Sequence, residues 1–108
     1  ETINAVREGM RSVTEGEGGT AHASFKDFEI SVGGKTGSAE AGSKTHGWFV
    51  GFAPYEDPEI AVVAIIENGF HGYYTADVVK EVIYEYFGMN TPVVTEDMAA
   101  IAETEAFR

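Results

Sequence analysis

The chain contains no cysteine, which excludes disulfide bridges and a thiolate nucleophile. It does not decide the compartment, because the cytoplasm and the bacterial extracytoplasmic space both accommodate cysteine-free proteins. Positive charge is scarce: seven Lys and Arg stand against 18 Asp and Glu, a formal net charge of -11. The phosphate backbone repels so acidic a chain, so no nucleic-acid partner is expected. No apolar run approaches the 18 or so residues of a membrane span, and no signal-like start is present. His22, His46 and His71 fall in separate segments without ligand spacing, so neither a metal nor another cofactor is expected. Length is also short. A chain of 108 residues buries a modest core, enough for one small domain or part of one. Because it opens on Glu1 and runs at once into a helical pattern, the second option, a fragment, is the expectation.

What is abundant is glycine, 13 residues, in a chain that is 44% hydrophobic, the composition of a folded segment. Ile3, Val6, Met10 and Val13 recur at helical spacing and predict an amphipathic helix that stops at the glycines from Gly16. Residues 20–24 read as a small-residue loop able to pass close to another surface. Phe28, Ile30 and Val32 alternate with Glu29 and Ser31, predicting a strand that leads straight into residues 33–38, GGKTGS. A polar loop is expected over 40–45, then a hairpin whose arms are 46–53 and 60–66 around a Pro54 to Pro58 turn. The second arm, IAVVAII, is apolar without alternation and predicts an interior strand covered on both faces. Val78, Val79, Val82, Ile83, Tyr86 and Phe87 form the stripe of a last helix, with Thr75 as N-cap, Asp77 in the first turn and Gly88 as C-terminal cap. After Pro92 an acidic tail follows; Met98 and Ile101 allow a short helix, and a solvated tail fits equally.

The hexapeptide GGKTGS fits two chemistries. A phosphate-binding loop needs a glycine five residues before Gly34-Lys35-Thr36 and a helix after it. The earlier position is Glu29, whose carboxylate would face the phosphates, and no helical stripe follows Thr36. A nucleotide-binding module is therefore a distant alternative. The second chemistry is the Lys-Thr-Gly element of serine acyl-transferases that bind penicillin. Taken alone, Lys-Thr-Gly is also compatible with a glycine-rich strand end bearing an incidental lysine. Between Ile30 and Ala53 the formal charges are Lys35, Lys44 and Glu40 alone, a cationic island suited to an anionic ligand. Trp48, Phe49, Val50 and Phe52 read as core rather than a substrate platform, and Glu56, Asp57 and Glu59 as a solvated face.

The order GGKTGSAE, HGWFVGFAP, a proline-containing turn and IAVVAIIENG resembles the C-terminal portion of the transpeptidase domain of class B penicillin-binding proteins. VREGMRSV and Gly19-Thr20 resemble the segment before it. The resemblance implies an α+β, beta-lactamase/transpeptidase-like fold: an antiparallel sheet with the motif strand at its edge, an N-terminal and a C-terminal helix, and strands from earlier sequence beyond IAVVAII. Residues 1–88 would be the C-terminal part of that domain and 89–108 a tail. The implied function is peptidoglycan D,D-transpeptidation. A serine attacks the penultimate D-alanine carbonyl of a stem peptide, releases the last D-alanine, and passes the acyl group to an amine; beta-lactams trap the same serine. By resemblance Lys35 supplies the cation, Thr36 and Ser38 hydroxyls for the substrate carboxylate, and the Ser38 N–H an oxyanion donor. Gly37 leaves room for an extended substrate and His46 is a further substrate contact, although a strand-end histidine is the plainer account of it. Ser38 stands where many relatives carry threonine.

The nucleophile is not here. The residues three beyond Ser12, Ser24, Ser31, Ser38 and Ser43 are Glu15, Asp27, Gly34, Ala41 and His46, so Ser-x-x-Lys is missing, as is Ser-x-Asn. Both must lie upstream, the isolated chain is expected to be inactive, and the upstream part or another chain is expected to complete the sheet. The resemblance further implies an extracytoplasmic location with a membrane-anchored bacterial parent, and peptidoglycan stem peptides and beta-lactams as ligands. A non-catalytic regulatory or peptide-binding module of the same fold is the alternative, and a beta-lactamase or its sensor relative shares the motif.

Overall fold

In the computed structural model, which describes residues 1–68 and 71–89, the chain runs α1 (Thr2–Glu15), α2 (His22–Phe25), β1 (Gly33–Ala41), β2 (Lys44–Ala53), β3 (Ile60–Ile66) and α3 (Gly72–Tyr86). The expectations for Gly69 and for the tail from residue 90 lie outside the described residues. The strands form one antiparallel sheet in the order β1-β2-β3. Alternation along β2 decides the layers. Gly47, Phe49, Gly51 and Ala53 are buried while Trp48 and Val50 are exposed and Phe52 is half-buried, so one sheet face takes the core and, among the described residues, the other is largely open. Phe49 and Ala53 join Ala21, Phe25, Val32, Ala76, Val79 and Ile83 in the core. The expected α+β arrangement, with a helix at each end and the motif strand at a sheet edge, is therefore present.

Several local expectations are corrected. Residues 28–32 are not a strand, although Val32 is buried, Phe28 and Ile30 are half-buried and Glu29 is exposed. Their backbone groups find partners other than a ladder. The Val32 carbonyl accepts from the Thr14 hydroxyl at 2.6 Å and the Ser31 carbonyl from the Tyr55 N–H at 2.8 Å. The small-residue loop 20–24 contains the single turn α2, because Ala21 and Phe25, four residues apart, both point into the core. The polar loop 40–45 shrinks to Gly42-Ser43, with φ 66° at Gly42, the left-handed conformation that a two-residue hairpin loop needs and glycine permits. Trp48 is not core: it is 41% exposed, and Val50 shares its open face.

The IAVVAII strand stands as expected of a chain whose sheet is completed by other sequence, with its apolar row uncovered. Among the described residues β3 is the outer strand, and its side chains alternate between half-buried and exposed, Val63 reaching 62%. Its uniform apolarity is matched to cover that these residues do not themselves provide. The same holds for the last helix: Val79 and Ile83 are fully buried, whereas Val78, Val82 and Tyr86 are exposed and, with Ile60, line an apolar groove.

Thr75 is not the N-cap of α3. The helix starts a turn earlier, after His71, and the buried Thr75 hydroxyl donates to the Gly47 carbonyl at 3.0 Å, pinning α3 to β2. Gly72 sets how close that contact is. A Cβ there would lie 2.5 Å from the Trp48 carbonyl oxygen, 2.6 Å from the Gly37 oxygen and 2.7 Å from the Gly37 nitrogen, all backbone atoms that cannot rotate away. The helix ends as expected at Gly88, φ 68°, with the Gly88 N–H on the Glu85 carbonyl and the Met89 N–H on the Tyr84 carbonyl, a Schellman motif.

At the other end α1 is clamped to the entry of β1. Glu15 accepts from the Ser31 hydroxyl and from Arg11, both at 2.7 Å, and Arg7 donates to the Tyr55 carbonyl. Partial burial alone pushes the Glu15 carboxyl up, but the Ser31 hydroxyl and the Arg11 hydrogen bond and charge together outweigh it and hold the carboxyl below its ordinary value.

Two predictions follow from these contacts. The folded state binds a proton at Glu15 less readily than the unfolded state. Its contribution is therefore complete above the ordinary carboxylate pKa of about 4.3 and fades as pH falls through the lower folded value. Glu15→Gln should cost about 0.5 kcal/mol at pH 7, the scale of a solvent-screened pair, with the deficit shrinking below about pH 4; equal deficits in melts at pH 7 and pH 3.5 would contradict the assignment. Gly72→Ala should destabilise by about 2 kcal/mol through overpacking, read as a lower urea midpoint, whereas an unchanged midpoint would show that the helix can back away freely.

Candidate active site

Two of the motif's three glycines, Gly33 and Gly34, are explained by rings. A side chain on Gly34 would run into the Phe49 ring, and one on Gly33 into the Phe52 ring on the opposite face. Both glycines let aromatic side chains of β2 lie across β1. The whole of Gly33–Ala41 is extended and paired with β2, from Gly33 opposite Phe52 to Ala41 opposite Lys44. A phosphate-wrapping loop opening a helix is absent there, which removes the nucleotide-binding alternative for this motif.

The strand brings Lys35, Thr36, Gly37 and Ser38 together on one sheet edge. Lys35 and Gly37 lie opposite Val50 and Trp48 on the open face, while Thr36 and Ser38 lie opposite Phe49 and Gly47 on the helix-covered face. Lys35 is exposed, and its Nζ donates to the Thr36 carbonyl at 2.7 Å. Its partner is thus a neutral oxygen, which leaves the ammonium charge uncompensated by that bond. A hollow of about 390 Å³ lies between Lys35 and the end of α1, with Ser12, Gly16, Gly18, Gly19 and Thr20 in its wall. Ser38 is exposed, and Gly37 carries the close packing of Gly72 against its backbone.

His46 sits one pair beyond Ser38, opposite Ala39. Its Nδ1 accepts the Asn68 N–H at 3.1 Å, which places the proton of the neutral ring on Nε2. The ring braces the end of β3, and only its Nε2 edge remains to meet a ligand. Glu56, Asp57 and Glu59 are exposed, as a solvated face requires. Among the described residues no cluster of His, Asp or Glu could hold a metal ion, and no helix is long and apolar enough to cross a membrane.

Sequence reasoning missed two contributors. Gly72 carries no signal in the sequence, since its role is the approach of two backbones distant along the chain. Thr20 places its hydroxyl 2.7 Å from that of Thr36; the small-residue character of residues 20–24 hinted at a close approach without naming its target.

The arrangement is an edge strand bearing a cation, two hydroxyls and a side-chain-free position, backed by a packed core. The family model described as "Penicillin binding protein transpeptidase domain" matches residues 1–87. The chain is 30% identical over 99 residues to the peptidoglycan D,D-transpeptidase MrdA of Haemophilus influenzae, covering 77% of this chain and 15% of that protein. Its fold superimposes on Pseudomonas aeruginosa PBP2, solved in complex with WCK 5153, with a TM-score of 0.73 and 38% identity over 77% of this chain and 18% of the other. Penicillin-binding protein A of M. tuberculosis, solved as an imipenem acyl-enzyme complex, is 33% identical with a TM-score of 0.51, over 56% of this chain and 14% of that one. The chain thus spans less than a fifth of the length of each of these proteins. An edge strand ordered Lys-Thr-Gly-Ser, the matching fold and the domain model agree: the chain belongs to the penicillin-binding protein transpeptidase domain family.

Proposed function

We propose that this chain is the motif-strand part of a peptidoglycan D,D-transpeptidase, and that the nucleophilic serine, its lysine base and the Ser-x-Asn element stand on sequence outside these 108 residues. The observation that carries the reading is the edge position of β1, with Lys35, Thr36, Gly37 and Ser38 on it in the order of the Lys-Thr-Gly element. In this reading the serine oxygen attacks the penultimate D-alanine carbonyl and its proton passes to the base. The Ser38 N–H donates to the oxygen as it becomes negative, where a fixed donor stabilises the transition state most. The C–N bond then breaks, the terminal D-alanine leaves with a proton, and an amine of a second stem displaces the ester.

The substrate carboxylate is held by the Lys35 charge and the Thr36 and Ser38 hydroxyls, charge-assisted bonds that also fix its register. Gly37 leaves the strand edge bare, so an extended stem peptide pairs with it as an added strand, and His46 meets the far end of that peptide through Nε2. A beta-lactam enters the same way and remains as a stable ester; the M. tuberculosis relative was solved as an imipenem acyl-enzyme complex. The exposed row on β3 and the open sheet face are covered by other sequence of the parent, which we place on the extracytoplasmic side of a bacterial membrane, held there by a segment not contained in this chain.

Fluorescent penicillin incubated with the parent polypeptide, this chain joined to its upstream sequence, should label one upstream serine. Lys35→Ala should slow labelling about a hundredfold, the scale for loss of one electrostatic anchor at a reacting centre. A correctly folded parent that takes no label would instead favour a non-catalytic peptide-binding module of the same fold, and labelling unaffected by Lys35→Ala would remove the role given to β1.

A further inference from the structure

Thr20 reaches β1 by a tight return of the chain. The Gly19 N–H bonds the Gly16 carbonyl at 2.8 Å and the Ala21 N–H bonds the Val13 carbonyl at 3.0 Å. A Cβ on Gly19 would collide with the Ser12 and Val13 carbonyls. The backbone is therefore fixed on both sides of Thr20, and the 2.7 Å contact between its hydroxyl and that of Thr36 is held rather than incidental. Burial does not demand this bond. Thr20 is exposed and Thr36 half-buried, so water could satisfy either hydroxyl. Thr20 also shares the wall of the hollow with Lys35, whose Nζ donates to the Thr36 carbonyl. Lys35 thus donates to the Thr36 carbonyl while the Thr20 hydroxyl meets the Thr36 hydroxyl, a contact in which either oxygen can give the proton.

A threonine hydroxyl has one proton to give and two lone pairs to receive. Turning freely in water, the Thr36 hydroxyl would present its proton to an anion only part of the time, and binding would have to order it. A proton donated from Thr20 occupies a lone pair of Thr36 Oγ1 and directs the Thr36 proton away from Thr20. Resting on the transpeptidase reading, we infer that Thr20 is a positioning residue: it orients the Thr36 hydroxyl toward the carboxylate of the donor stem peptide or of a beta-lactam. It touches no substrate and acts through Thr36 alone, by preorganisation of a bond that the ligand would otherwise have to arrange.

The test is a double-mutant cycle in the parent polypeptide, read as the second-order rate of labelling by fluorescent penicillin. Thr20→Val should slow labelling about tenfold, the worth of a well-directed hydrogen bond to a charged group. Thr20→Ser should restore the rate to within about threefold, and in a Thr36→Val background Thr20→Val should cost nothing further. Thr20→Ala serves if the valine variant does not fold. Equal losses with and without the Thr36 hydroxyl would show a merely structural role and overturn the inference, as would a Thr20→Val rate equal to wild type. A wild-type parent that takes no label overturns the transpeptidase reading and this inference with it, whereas a labelled parent with additive losses overturns this inference alone.

Discussion

The close seating of the Phe49 ring across Gly34 is the constraint on which the rest depends. Phe49 is fully buried at the centre of the core, packed in turn on Phe25 with ring centroids 5.8 Å apart. Because Gly34 has no side chain, β1 lies flat against that ring and the next four residues inherit its position. Protein interiors have little free volume to absorb a shift, so a side chain at 34 would displace Lys35 and Ser38 together. The position of the sheet edge is thus set by packing behind it, and Gly33 and Gly34, which look like a ligand cradle, are spaces for aromatic rings.

The helices complete this support from two directions. At the entry to β1, the buried Thr14 hydroxyl bridges the Arg11 and Val32 carbonyls, so a single side chain joins the end of α1 to the start of the strand. Behind the motif, α3 comes down on the Gly37 peptide through Gly72 and is latched to Gly47 by Thr75. Neither helix supplies a group to the proposed chemistry. Their contribution is to remove freedom from a strand that, at a sheet edge, has neighbours on one side only.

Elements were legible in the sequence where local pattern and tertiary packing agree. The stripe of α1, the β2 and β3 runs and the glycine stop at Gly88 each have a local cause and were read within a few residues. Residues 28–32 misled because alternation reports which side chains are buried and is silent about which backbone groups pair; here Thr14 and Tyr55 took the places of a neighbouring strand. Trp48 and Val50 misled in the opposite sense, since apolar residues expected in the core stand on the exposed face of β2. Of the candidate site, Lys35 to Ser38 could be found from a motif; Gly19-Thr20 was part of the resemblance but without a role for Thr20, and Gly72 carried no signal, because each acts through a contact made across the fold.

The hairpin of β1 and β2 continues past the last pair that β3 makes, Gly47 with Ile66, to its tip at Gly42-Ser43. Over residues 39–46 its arms pair, among the described residues, only with each other, with the Asn68 to His46 bond as a strut at the root. The sheet thus changes stiffness along its length, three strands thick under Ser38 and a two-stranded tongue after it. On the proposed function, a stem peptide laid along β1 would meet a three-stranded sheet where its carboxylate is held and a two-stranded one beyond it, so the edge would be more exacting about the carboxylate than about whatever follows.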